Sequence, residues 1–382
     1  MKPLYSQATA ANGWHGEWQE PVRRGWDVSD EGMERFLKEL DAMETTPLQL
    51  ALDAIGQFPD DLITTKCRAL LHGYDARWRD AGYIAEKVEE TLLADLYNPD
   101  SDGGKSRTFQ LAGKLDVVAR HSTRRVLIDH KTCSQDITDP NDPYWRQLVV
   151  EGQVSHYMLL QWLLGEKCDD AVWDVVRKPS IAPKKLTKAE QKQVTSLGEY
   201  YGIKVSEASR QSLIHEERET NELYEIRLRH DCINERPEWY FQRRSIPRMD
   251  AEILEYARDV WQHSKDILYT RSIERLPPKN GGACMLYGSP CKFLGICSGH
   301  DEPESGKWQK KESVHPELPI VNNELELLTN SRIRCFQTCR RKHYYEYELG
   351  IERFDEEEKE ALFFGTVYHA GLEAWWSFFK GT

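Results

Sequence analysis

Apolar residues recur along the chain in two rhythms. From Thr46 to Trp78, the spacing in LQLALDAI and CRALLHGYDARW follows the 3.6-residue period of two helices, with Pro59-Asp60-Asp61 as the break. Tyr144–Leu164 and Asp250–Leu268 keep the same period over longer stretches. Between them the rhythm shortens. Phe109–Arg120 (FQLAGKLDVVAR) and Arg124–Thr132 (RRVLIDHKT) predict two strands with HSTR as a hairpin connection. Ala171–Val176 predicts a third strand, and Tyr224–Leu228 and Trp239–Arg244 two more. Ala81–Leu96 fits either period, Asn98–Ser106 is a turn by composition, and Lys184–Val194 is a charged, exposed helix. The Trp-rich start carries a weakly periodic helix around Met33–Met43. Beyond Leu268 the texture changes. Pro277–His300 is rich in Pro, Gly and Cys, and Asp301–Ser313 is a polar linker. Glu324–Thr382 then reads as helix, acidic break at Asp355–Glu358, and helix. Helices and strands interleave, so the expected class is α/β.

Charge and cysteine usage narrow the picture. Lys and Arg number 51 against 63 Asp and Glu, a formal charge of −12, which argues against a general basic coat but leaves room for a local basic channel. The chain has no apolar run of about 18 residues and its first residues lack the apolar core of a secretion signal, so a soluble, cytoplasmic protein with no membrane partner is expected. In that setting, clustered cysteines point to metal more often than to disulfides, and the nine here crowd toward the end of the chain. A length of 382 residues allows two or three domains or one decorated domain.

The sharpest chemical signal lies in the hairpin. Residues two apart on a strand face one side, so Asp129 and Lys131 in LIDHKT point into one space, and Asp116 in GKLDVV can face them from the neighbouring strand. Charges on otherwise apolar strands are costly unless paired or bound to a metal. Carboxylates with this hardness suit Mg²⁺ or Mn²⁺, which would acidify a bound water, with Lys131 orienting that water or stabilising charge on a phosphoryl group. The plain alternative is an Asp–Lys ion pair on an exposed strand face. Gln153 and Tyr157, at i and i+4, share a face of the following helix and could touch a phosphate or Lys131.

Taken together, G-K-L-D, a hairpin, L-I-D-H-K-T and Q-V-S-H-Y resemble the PD-(D/E)XK nuclease superfamily, in its RecB-type branch. The resemblance implies a restriction-endonuclease-like core, a mixed central sheet flanked by helices, and metal-dependent cleavage of DNA. It assigns Asp116 and Asp129 as metal-binding carboxylates, Lys131 as the catalytic lysine and Gln153 and Tyr157 as the helix element. His130 would add its backbone carbonyl to the metal.

Cys284, Cys291 and Cys297 lie within one loop, where three thiols can wrap a single metal centre. Some RecB-type nucleases hold a [4Fe–4S] cluster with three such cysteines and one distant cysteine. The resemblance makes Cys339, eight residues after Ser331 and before RRKHYYEYELG, the fourth ligand, with Cys335 as alternate and Zn²⁺ as the competing metal. Cys67, Cys133, Cys168 and Cys232 read as small buried apolar residues. The family's early Gly-x-x-x-His is matched by Gly365 and His369, making His369 a metal ligand, with Glu373 a weaker candidate. Arg340, Arg341 and Lys342, beside Cys339, are the candidate DNA-binding cations.

These early features stand at the end of the chain, in rotated order. Two explanations compete: a circular permutation, or the end of one nuclease copy joined to the start of another. The expected layout is a core at 1–300 with the D…DxK and QxxxY motifs and three cluster cysteines, a linker at 301–323, and a helical segment at 324–382 packing back on it. The expected function is a Mg²⁺- or Mn²⁺-dependent exonuclease acting on single strands or duplex ends in recombination, repair or phage DNA processing, in a bacterial or phage-infected cytoplasm, with a helicase or recombinase as possible partner. Two other readings stand against it: a catalytically silent DNA-binding scaffold of the same fold, and a zinc-stapled protein whose carboxylates are structural.

Overall fold

A computed structural model describes residues 45–215, 217–286, 288–319, 324–354 and 360–380; the helix expected around Met33–Met43 and the acidic break at Asp355–Glu358 lie outside them. Helices α1 (Pro47–Ile55) and α2 (Leu62–Trp78) form where the periodicity places them, with Thr46 and Asp61 side chains capping their first amides. The ambiguous segment is strand β1 (Tyr83–Tyr97), followed by β2 (Lys105–His121) and β3 (Arg124–Cys133). The connection between β2 and β3 is a two-residue turn, since His121 and Arg124 already pair and Ser122 takes the left-handed φ of 55° that such turns use.

The helix expected over Tyr144–Leu164 is two helices, α3 (Pro143–Val149) and α4 (Gly152–Leu163), each restarted by its own N-cap residue. Strand β4 (Asp170–Arg177) follows, and later β5 (Phe241–Ser245). Tyr224–Leu228 is a correction: it lies in helix α5 (Asn221–His230), not a strand. Its apolar residues Leu223, Tyr224, Ile226 and Leu228 satisfy either period, and the Thr220 cap together with packing decides for helix. Helix α6 (Asp250–Ser272), a short strand β6 (Glu326–Leu328), α7 (Asn330–Thr338) and α8 (Glu360–Phe378) complete the frame.

The central sheet is mixed and runs β1-β2-β3-β4-β5, with β6 parallel to the early part of β2. Two helical layers cover it. On one face α3, α4, α6 and α7 pack over Leu115, Val118, Leu127, Trp173 and Val175. On the other, α1, α2, α5 and α8 pack over Val117, Ala119, Val126, Ile128 and Val176. This mixed sheet between helices is compatible with a restriction-endonuclease-like core. The C-terminal helix α8 is a full member of the second layer: Val367, Tyr368, Leu372, Trp375 and Trp376 are buried there, and Ala85 of β1 donates to the Phe379 carbonyl (2.9 Å). Within the segment read as linker, Trp308–Lys310 pair antiparallel with Ile351–Arg353, and Leu318 is buried.

Two irregularities split the sheet. The β2–β3 ladder runs from His121/Arg124 to Val117/Ile128, after which β3 continues against β4 as far as Cys133/Arg177. The two strands therefore diverge just where the motif carboxylates begin. At the same place the inside–outside alternation of β1 and β2 inverts. Val88 and Leu92 have the same parity yet face opposite layers, and so do Leu115 and Val117. Between the pairs Val88/Val117 and Glu90/Leu115 stand Glu89 and Asp116, and Glu89 holds a left-handed φ of 51° that turns the pleat.

Candidate active site at the split in the sheet

Asp129, Lys131 and Cys133 alternate along β3 toward the α4 side, while His130 points to the α8 side. Asp129 Oδ2 pairs with Lys131 Nζ at 2.5 Å. Gln153 closes the triangle: its Nε2 donates to Asp129 Oδ1 (2.9 Å), its Oε1 accepts from Lys131 Nζ (2.9 Å), and Nε2 also reaches the Tyr157 hydroxyl (3.2 Å). Lys131 Nζ lies 4.9 Å from the centre of the Trp173 ring beneath it. Burial pushes the Asp129 carboxyl up to about 6, with Lys131 holding it down and Asp116 adding to the rise. The ammonium beside it favours the ionised form against that burial.

Asp116 bridges the split. Its Oδ2 accepts the backbone N–H of His130 (2.7 Å), a donor freed by the divergence of β3 from β2. Asp116, Glu89 and His369 bring one ligand atom each to within 4.8 Å of one another. Burial, with the positive charges of His130 and Lys131 behind it, depresses the His369 imidazole to about 4. The ring is thus neutral and has a lone pair to give. Two carboxylates and a neutral imidazole, half-buried, are a donor set suited to a hard divalent cation.

Glu89 was not among the sequence candidates. Its segment fits strand and helix alike, and only the register with β2 sets it opposite Asp116. Its position in VEET, beside a second Glu and ahead of the apolar LLADL, was the one available signal. Burial and the charge of Asp116 raise the Glu89 carboxyl, and Lys114 restrains the rise through a 2.5 Å ion pair. Glu373, one turn beyond His369, adds negative charge to the same pair.

Two supports fix these groups. Helix α4 seats directly on β2 because Gly113 has no side chain: a Cβ there would stand 2.8 Å from Tyr157 Cε1 and 3.0 Å from Leu160 Cδ1. Beside it, burial lowers the His156 imidazole to about 4, so the neutral ring donates from Nε2 to the Ala112 carbonyl (2.9 Å) and accepts the Tyr256 hydroxyl at Nδ1 (3.1 Å). On the other face the His130 ring meets Asp174 (3.2 Å). Asp174 also takes Tyr74 Oη (2.5 Å) and Arg243 (3.2 Å), and Trp376 donates to Tyr74 (3.1 Å). Burial opposes a charged His130, yet Asp174 outweighs it and raises the ring's pKa.

Cys284, Cys291, Cys297 and Cys339 lie near one another. Asn280 links two of them, its N–H donating to Cys339 Sγ (3.4 Å) and its carbonyl accepting from Cys284 Sγ (3.6 Å). Cys291 N–H donates to the Cys284 carbonyl (2.8 Å), and Cys291 and Cys297 border a small apolar cluster of Phe293, Tyr345 and Ile351. Burial raises the Cys297 thiol, Arg341 lowers it, and Cys291, Cys339 and Cys284 all lie near enough to raise it further. Cys335 is buried instead, its thiol pushed up to about 12. Arg340 is exposed, Lys342 is half-buried, and Arg341 donates to the Pro277 carbonyl (2.8 Å).

No curated protein matches this chain. A solved structure described as "Crystal structure of SSO0001" aligns at 12% identity and a TM-score of 0.22, over 51% of this chain and 63% of its own. No helix among the described residues is long and apolar enough to cross a membrane. Residues 328–381, the stretch that carries Cys339 and His369, match the family model of the PD-(D/E)XK nuclease superfamily, a likeness that suggests nuclease activity in general.

Proposed function

We propose that this chain is a divalent-metal-dependent deoxyribonuclease of the RecB-type branch, acting as an exonuclease, with the family's early motifs placed after its late ones. One observation carries the reading: the segment that matches the superfamily delivers His369 to within 4.8 Å of Asp116 and Glu89, beside the Asp129–Lys131–Gln153 triangle. In this reading Glu89, Asp116 and His369 would hold the cation, with Asp129, whose two oxygens meet Lys131 and Gln153, beside them. A divalent cation bound there supplies Lewis acidity to the scissile phosphodiester and to the attacking water. Lys131 places its ammonium where charge develops on the phosphoryl oxygens, and Gln153 fixes the positions of Lys131 and Asp129.

Residues 1–300 would form the core, 301–323 the connection and 324–382 the segment folded back upon it. Cys284, Cys291, Cys297 and Cys339 would hold a [4Fe–4S] cluster that staples the Cys-rich loop to the foot of α7, with the buried Cys335 as the alternate ligand. Arg340–Lys342 would line the strand's path beside it.

The test is cleavage of labelled single- and double-stranded DNA by anaerobically purified protein with Mn²⁺. Asp116→Asn and Lys131→Met should each lower the rate by at least about 100-fold, as loss of a transition-state charge partner does, with Asp116→Asn melting near the parent temperature and Lys131→Met below it, because Asp129 loses its ammonium. If the parent binds DNA but leaves both substrates intact with Mg²⁺ and Mn²⁺, the chain is a silent scaffold of this fold.

A further inference from the structure

Glu89 has two partners that compete for it. Its carboxylate pairs with Lys114 Nζ at 2.5 Å, and it also offers an oxygen to the group with Asp116 and His369. A carboxylate bound to a small hard cation gives up most of its attraction for a neighbouring ammonium, because the cation's charge compensates it at closer range. Lys114 lies two residues before Asp116 on β2, and its ammonium is near enough to feel Glu89, Glu373 and Asp116 together. Its side chain is 36% exposed against 14% for Glu89, so the lysine is on the solvent side of the pair. Glu89 is the less movable partner: its left-handed φ of 51° costs roughly 1–2 kcal/mol and is held by the strands on either side.

Without a cation the split in the sheet gathers Glu89, Asp116, Asp129 and Glu373 against Lys114 and Lys131, and both lysines are engaged with carboxylates. An acidic site with its cations occupied repels a polyanion. We propose that Lys114 is a phosphate-binding residue that Glu89 masks in the cation-free protein and releases when a divalent cation takes Glu89. Cation binding and DNA binding are then coupled through this single exchange of partners. The inference rests on the nuclease reading of the same site. Reciprocity follows from thermodynamics: DNA bound at Lys114 tightens the cation by the same factor as the cation tightens DNA.

The experiment uses the full chain and Ca²⁺, chosen to occupy the site without supporting turnover. Calorimetry reads Ca²⁺ affinity, and anisotropy of a labelled single-stranded oligonucleotide reads DNA affinity with and without Ca²⁺. Ca²⁺ should tighten DNA binding by the parent on the order of fivefold, the worth of a partly exposed ion pair. Lys114→Met should tighten Ca²⁺ by a similar factor, since Glu89 loses its competitor, and should remove most of the Ca²⁺-dependent gain in DNA affinity. Glu89→Gln should do the reverse, weakening Ca²⁺ and raising DNA affinity in its absence. Charge effects through space would produce some of these signs without any exchange, so the double variant decides. In a Glu89→Gln background, Lys114→Met should leave Ca²⁺ affinity unchanged if the exchange operates, and should shift it as before if it does not. Lys114→Gln repeats the measurement should the methionine variant melt below the parent. A parent that cleaves DNA with Mn²⁺ while its Lys114 and Glu89 effects simply add would overturn the exchange and leave the nuclease reading standing. Failure of the parent to cleave at all would sink that reading, with the Ca²⁺ cycle still reporting on the pair.

Discussion

Gly113→Ala tests whether the seating of α4 on β2 sets the geometry of the site. A methyl at this position would meet Tyr157 Cε1 at 2.8 Å, Leu160 Cδ1 at 3.0 Å and Tyr157 Cδ1 at 3.1 Å. Ordinary carbon contacts lie near 3.5–4.0 Å, so the ring and the helix behind it must retreat by about half an ångström or more. Tyr157 is flanked by the His156–Ala112 hydrogen bond and packs against the core through Leu160 and Leu159, which leaves little room for that retreat. Overpacking of this kind costs about 1–3 kcal/mol. Its functional consequence runs through Gln153, one turn earlier on α4, whose amide holds Asp129 and Lys131 at 2.9 Å. A displacement approaching an ångström at reacting groups is worth up to about 100-fold in rate.

Urea unfolding gives the stability cost, and single-turnover cleavage with Mn²⁺ gives the rate. Tyr157→Ala removes the ring that the new methyl meets. In the double variant, the stability cost of Gly113→Ala should therefore fall below its value in the parent, leaving the part due to Leu160. Strictly additive costs, or a Gly113→Ala protein within about 0.5 kcal/mol of the parent and equally active, would refute the idea that close approach at Gly113 positions the helix.

Two further outcomes follow from the C-terminal segment. Cys339→Ser should abolish visible absorption and bound iron in anaerobic preparations, whereas Cys335→Ser should keep both; a colourless parent holding stoichiometric zinc would exclude the iron–sulfur cluster. Burial disfavours the charged form of Glu326, but the guanidiniums of Arg271 and Arg332 (2.6–2.8 Å) hold its carboxyl down to about 2. A folded pKa below the ordinary value means stability present above about pH 4.5 and lost as pH falls toward 2. Glu326 is 42% exposed, so solvent screening reduces this to on the order of 1 kcal/mol. Between pH 6 and pH 3 the parent should lose more stability by that amount than Glu326→Gln, and equal losses would remove the clamp from the account.

These clamps matter because they tie the end of the chain to the core. Arg332 is buried, accepted by Glu326, Glu348 and the Leu327 carbonyl, and Arg271 of α6 grips the same two glutamates. Together with β6 on β2 and α8 in the second layer, they bring Glu326–Leu328 and Glu360–Phe378 against strands that precede them by more than two hundred positions. His369 reaches Asp116 only through that arrangement.

What the chain's local pattern determined was chemistry that sits within one element or one hairpin. Asp129 and Lys131 share a side because strand side chains alternate, and Gln153 and Tyr157 share a helical face because of the 3.6-residue turn. The α1–α2 break at Pro59 and the capped starts of both helices follow from residues a few positions apart. Tertiary structure decided everything that depends on register or on which element lies across the split in the sheet. Glu89 joins the candidate site because β1 pairs with β2 so as to set it opposite Asp116, a relation between residues 27 positions apart that no periodicity encodes. The inversion of the pleat at that pair, the partners of the His130 ring at Asp174, and the choice of helix over strand at Asn221–His230 likewise came from packing. The physical reason is range. Backbone geometry repeats over two to four residues and can be read from them, whereas burial, charge compensation and metal-ligand distance are fixed by neighbours that only the closed fold supplies.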